Sequence, residues 1–117
     1  MKLINRGVAV IKPKQPFVNW LNGLSDSTNH PPHTQESLRE DCTVLLIPDF
    51  YSLEEMEAFT NPMKPDLFEQ ELANYAEDAR DWPDDLTAAT FDEWFDLEVH
   101  SMVYDAAAIP LLADEDE

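Results

Sequence analysis

Glycine is nearly absent from this chain: Gly7 and Gly23 stand alone among 117 residues. Loops that cradle phosphate need glycine so that backbone N–H groups can close on the anion, so no nucleotide-binding loop of that kind is present. Cysteine is scarcer still. Cys42 has no partner in the chain, which excludes an internal disulfide and favours a reducing compartment, the cytoplasm. Basic residues are few and unevenly placed. Lys2, Arg6, Lys12 and Lys14 precede residue 15, and beyond it Arg39, Lys64 and Arg80 face all 25 acids. Such a surface repels nucleic acid and anionic lipid, because phosphate contact requires Lys and Arg to displace counterions. Long apolar runs are also missing. Residues 8–11 are too short for a signal peptide, and Lys12 and Lys14 interrupt the chain directly after them. Nothing approaches the roughly 18 apolar residues of a membrane helix. Neither a membrane nor direct nucleic-acid binding is expected.

Apolar residues, at 44%, are plentiful enough to argue against disorder despite a net charge of −18. The length suits one domain, expected over residues 1–113, with an acidic tail at 114–117 that should fray. Residues 3–12 read as a strand whose short apolar run at residues 8–11, rich in β-branched side chains, looks covered on both faces, with Pro13 ending its ladder. Pro16 suits a first helical turn, and Phe17, Trp20, Leu21 and Leu24 then share one face, with Gly23 near the stop. Residues 25–41 carry turn and breaker residues, among which a short helical turn near Glu36 to Arg39 can be placed.

Residues 43–47 read as a second strand closed by Pro48. Ser52 and Glu55 match a capping box before a short helix with Leu53, Met56 and Phe59 inward; Asn61, Pro62 and Pro65 break it. Phe68, Leu72, Tyr75, Ala76 and Ala79 form the clearest amphipathic face, with Glu69, Glu71, Glu77 and Asp78 opposite. Thr90 and Glu93 match a second capping box, opening a helical turn through Phe91, Trp94 and Phe95. Residues 97–104 read as a third strand, with Glu98, His100, Met102 and Tyr104 on one face. The order β-α-β-α-α-α-β predicts an α+β fold: a three-stranded sheet with three to four helices packed on it. The first β-α-β unit is compatible with a right-handed parallel crossover, and the third strand with either direction.

Two stretches carry a resemblance. One is Lys12-Pro13-Lys14-Gln15-Pro16-Phe17 followed by Asn19-Trp20. The other is Trp82-Pro83 with Phe91-Asp92-Glu93-Trp94-Phe95-Asp96 and Ser101-Met102-Val103-Tyr104-Asp105. Together, over about a third of the chain, they resemble a family of short, acidic bacterial proteins with no assigned activity. The resemblance implies a bacterial cytoplasmic origin and one compact domain, and it carries over no catalytic residue.

Candidate chemistry is thin. His30 and His33 flank Pro31-Pro32, and close His pairs can bind metal. No third ligand is evident beyond Asp41 and Cys42, so a solvated loop is favoured and no cofactor is expected. Glu98 and His100, with Tyr104 beyond, are candidates for proton transfer, since a carboxylate orients an imidazole; a polar outer strand face, or a histidine hydrogen-bonded under a helix, explains them better. Ser101 points away from His100. Lys12, Lys14 and Gln15 sit where a strand meets a helix, a common anion position, although neutralising nearby carboxylates explains the lysines better. The aromatics Trp82, Phe91, Trp94 and Phe95 suit a core, or alternatively a binding hot spot.

The acidic surface fits solubility, adaptation to high salt, or recognition of a basic partner. The leading expectation is a non-enzymatic interaction protein with a basic protein partner. The alternatives are a small enzyme or ligand binder with a site near Lys12, Lys14, Trp94, Glu98, His100 and Tyr104, and a nucleic-acid mimic.

Overall fold

The computed structural model describes residues 1–24 and 31–114. The turn residues at 25–29, His30 and the tail residues 115–117 lie outside the described residues. Lys2–Leu3 (β1) and Arg6–Pro13 (β2) open the chain. The single strand expected over residues 3–12 is therefore two: Ile4 N–H turns aside to the Val103 carbonyl at 2.9 Å. β1 pairs antiparallel with Tyr104–Asp105 (β5) in a two-stranded ribbon. β2 is the centre of a three-stranded sheet, between Thr43–Pro48 (β3) and Phe95–His100 (β4).

Both pairings in this sheet are antiparallel, which replaces the parallel crossover considered for the first β-α-β unit. The reason is reach. β2 has 8 residues and spans ~26 Å, whereas Gln15–Asn22 (α1), also 8 residues, rises only ~12 Å. α1 and the short Gln35–Leu38 helix (α2) leave the chain near the end of β2, so β3 starts opposite Ile11 and runs back. Pro13 ends the ladder as expected, itself included as the last residue of β2, opposite Phe95.

The remaining helices are Leu53–Thr60 (α3), Lys64–Ala73 (α4) and Ala88–Trp94 (α5). Ser52 caps α3 by accepting from Glu55 N–H, but the box is half closed, since the Glu55 carboxylate takes Tyr51 N–H instead. Within α3 the expected inward face shrinks to Met56, which is buried, while Leu53 and Phe59 are exposed. Pro65 does not break a helix but occupies the first turn of α4, where a missing N–H is harmless. α4 accordingly runs earlier than its amphipathic spacing implied, and Tyr75, Ala76 and Ala79 lie beyond its end. α5 is capped by Thr87, not Thr90: Thr87 accepts from Thr90 N–H, and Asp85 holds both threonines. Phe95 leaves the helix and begins β4. The strand expected over 97–104 is broken after His100, and its end joins the ribbon with β1.

The helices cover one face of the sheet. Ile11, Phe17, Leu21, Leu67, Phe68, Leu72, Phe91 and Phe95 form the main core, and Ala9, Ile47 and Met56 a second cluster under α3. Phe91 stacks on Phe95 at 4.9 Å, and Trp94 lies 5.3 Å from Phe68, so the aromatic group is core packing, with Trp82 against its rim. Among the described residues, no helix lies over the other face of the sheet. Val8 and Val10 are thus half-buried, not enclosed on both sides. The whole is a small single α+β domain, and no helix among the described residues is long and apolar enough to cross a membrane.

Candidate functional site

The open sheet face is where sequence candidates meet. Alternation puts Val8, Val10 and Lys12 of β2 on it, between Val44 and Leu46 of β3 and Asp96, Glu98 and His100 of β4. Lys12 Nζ reaches Glu98 Oε1 at 2.8 Å, and His100 Nε2 donates to Glu98 Oε2 at 2.8 Å. Lys14 Nζ donates to the Asp92 carbonyl at 2.9 Å and lies 3.8 Å from Asp96. Arg39 bridges the sheet end, from Nε to the Pro13 carbonyl and from Nη2 to Asp96.

Three candidates are therefore brought together: Lys12, Glu98 and His100. The others are not. Trp94 packs among Phe17, Trp20 and Phe68. Tyr104 belongs to the ribbon. Gln15 bonds Asn19 along its own helix. His33 is fixed through its backbone, since the Asn22 side chain both accepts its N–H and donates to its carbonyl; its proposed metal partner His30 lies outside the described residues. Among the described residues no group of three or more His, Cys, Asp or Glu side chains is arranged to hold a metal ion.

The triad has little freedom to move protons. The Lys12 ammonium, and then His100, hold the Glu98 carboxyl well below the usual range, down to about 2. A general acid or base works best with a pKa near the operating pH, and both Glu98 oxygens are already engaged. The group is also exposed, so water screens it. Because folding lowers this carboxyl, its contribution to stability is complete above the ordinary glutamate range and is lost as the pH falls toward 2. Cys42 is no better suited to reaction: partial burial raises its thiol, against the opposing pull of Lys12 and Arg39.

The opposite, helical side differs in kind. Residues 54–93 hold thirteen acids and two bases, Lys64 and Arg80. Both bases are already matched, Lys64 to Asp92 at 2.7 Å and Arg80 to Asp78 at 2.7 Å. Glu54, Glu57, Asp66, Glu69, Glu77 and Glu93 are exposed and have no ion-pair partner among the described residues.

Lys64 was not legible as a special residue. It is buried with only its ammonium led out to Asp92, and it lies 5.9 Å over the Phe91 ring. The pair is asymmetric, since Asp92 is well solvated. Asp92→Ala is therefore expected to destabilise by about 1–2 kcal/mol, because it strands a mostly buried cation, whereas Lys64→Met should lose less than about 1 kcal/mol. Denaturant unfolding of both variants checks the order; a larger loss for Lys64→Met would contradict it.

Sequence reasoning also missed Glu71, placed on the solvent face but buried in the structure with its carboxylate on the Thr43 hydroxyl at 2.7 Å. No local signal could have found it, because Thr43 is 28 residues away. A shallow cavity of about 390 Å³ lies at the other end of the sheet, lined by Phe50, Leu53, Val99, His100, Ser101 and Met102, and shares only His100 with the candidate set. No family model matches the chain, and neither the curated proteins nor the solved structures contain a match.

Proposed function

We propose that this chain is a non-enzymatic interaction protein of the bacterial cytoplasm that binds a basic protein through its carboxylate-rich helical side. The carrying observation is the imbalance over residues 54–93, where the two bases are neutralised internally and exposed carboxylates have no ion-pair partner among the described residues. Such a field accelerates encounter with a cationic partner and disfavours anionic ones. The engagement of Glu98 by Lys12 and His100 supports a binding role over acid–base catalysis. Capture on the immobilised chain from its native lysate, at low and at moderate salt, is the test. A basic protein retained at low salt and released by salt is the expected result. Capture of nothing salt-sensitive would count against the reading, and capture of a DNA-binding protein would shift it toward mimicry of a nucleic-acid backbone.

The same imbalance affects stability. Raising NaCl from low salt to about 0.5 M should raise Tm, because carboxylate repulsion in the folded state is screened within a few ångströms at that strength. An unchanged Tm would mean that the carboxylates are too far apart, or too well solvated, to repel appreciably.

A further inference from the structure

The two outer strands of the sheet are protected very differently. β4 carries Asp96, Glu98 and His100 on its open face, and Arg39, Lys14 and Lys12 reach over to them. β3 reads Thr-Val-Leu-Leu-Ile-Pro, with no charge and with proline only at its last position. Natural sheets blunt their edges with lysine, inward charge, bulges or proline, and an uncharged edge is a template for another strand. Among the described residues, the β3 backbone bonds to β2 alone. Beside that edge the solvent face is apolar: Val44 and Leu46 are 55% and 47% exposed, with Val8 and Val10 behind them.

We propose that the β3 edge receives an extended segment of the partner as a further strand, the segment having aliphatic residues at its centre and Lys or Arg at both ends. This rests on the reading of the partner as basic. Its charge requirement comes from the residues that bracket β3: Glu40 and Asp41 before it and Asp49 after it, all exposed and without an ion-pair partner among the described residues. Main-chain bonds from β3 supply affinity, and Val44 and Leu46 contact the alternate side chains of the incoming strand. A second copy of this chain suits the edge poorly. Antiparallel pairing of two β3 strands sets the Asp41 end of each against the Asp49 end of the other, and brings two net charges of −18 together.

The test uses the whole chain and a lysine-flanked peptide with an alternating valine–threonine centre. Controls are the same peptide with its valine nitrogens methylated, and one with glutamate in place of lysine. Amide hydrogen exchange and NMR shifts locate the contact. The expected result is slowed exchange across Thr43–Pro48 with the first peptide, and binding weakened at least about tenfold by methylation, by the glutamate flanks, and by Leu46→Lys in the protein. Leu46 is exposed, so that variant should keep the fold, which the unchanged core amides would verify. Equal binding of the methylated peptide, with shifts over residues 54–93, would overturn the edge site and leave the basic-partner reading standing. Equal binding of the glutamate-flanked peptide at β3 would overturn the proposal by removing the basic requirement while leaving an edge site. No binding, or self-association through β3 in concentration-dependent sedimentation, would overturn it outright.

Discussion

Phe68→Ala is expected to remove about 3–5 kcal/mol of stability, the range for deleting a buried aromatic ring. Phe68 is fully enclosed and lies 6.1 Å from Phe91, 5.3 Å from Trp94 and 5.7 Å from Phe95. It is the point where α4 meets both α5 and the start of β4. The loss is therefore more than transferred area: two edge-to-face ring contacts go with it. The rings around it are themselves fixed from other sides, Phe95 by Phe17 at 5.1 Å and Phe91 by stacking on Phe95, so the gap closes poorly. For a domain holding roughly 5–15 kcal/mol in total, this removes a large share. Thermal unfolding should show a fall in Tm on the order of 10–20 °C, with Phe68→Leu intermediate. A loss below about 1 kcal/mol would mean that the site collapses freely and the aromatic cluster is not the keystone.

The second large effect concerns Glu71 and Thr43. Burial pushes the Glu71 carboxyl above the ordinary glutamate range, with the Thr43 hydroxyl partly opposing the rise by donating to the carboxylate. Thr43→Val should therefore cost about 1.5–3 kcal/mol at neutral pH, because a buried carboxylate loses its hydrogen bond. Glu71→Gln should instead stabilise at neutral pH, by roughly 1 kcal/mol, since the amide oxygen still accepts from Thr43 without a charge to desolvate. The sign of the shift sets the pH dependence. A carboxyl raised by folding penalises the folded state most at pH above its folded value. The penalty fades as the pH falls through that value and is gone below the ordinary value of 4.5. The advantage of Glu71→Gln should therefore be largest near pH 7 and disappear in acid. Unfolding free energies across pH for the single variants and the pair would show this. An advantage that persists below about pH 4, or a Thr43→Val variant as stable as the wild type, would break the account. Tyr75 strengthens the test: burial, and then the neighbouring Glu71 charge, raise its phenol, so Glu71→Gln should lower the pH at which Tyr75 ionises.

The legible parts of the fold were those set by neighbours in sequence. The i, i+4 pair Phe17 and Leu21 specified the inward face of α1, and both are buried. The apolar run at residues 8–11, rich in β-branched side chains, specified a strand, and Ser52 the start of α3. Failures came where the local pattern was satisfied in more than one way. Leu53 and Phe59 have the spacing of an inward face, yet both are exposed, and α3 instead buries Met56 against Ala9 and Ile47 with the Thr60 hydroxyl donating to its sulfur. Thr90 and Glu93 have capping-box spacing, but Thr87 with Asp85 caps one turn earlier. Glu71 belongs to an acidic pattern, yet its place on α4 is decided by β3 packing alongside. At the candidate site, Glu98 and His100 were legible as one face of a strand. Their partner Lys12 was in the candidate set, but the bond between Lys12 and Glu98 joins residues 86 apart.

By itself the sequence determined the charge, the α+β class, the order of the main elements and which residues were greasy enough to bury. Those come from composition and short-range periodicity, which local sterics and hydrophobicity read directly. Tertiary structure alone decided strand direction, register, which sheet face stays open and which edge stays bare. These depend on where a short helix sets the chain down again and which distant segments then meet, and no run of neighbouring residues encodes that distance.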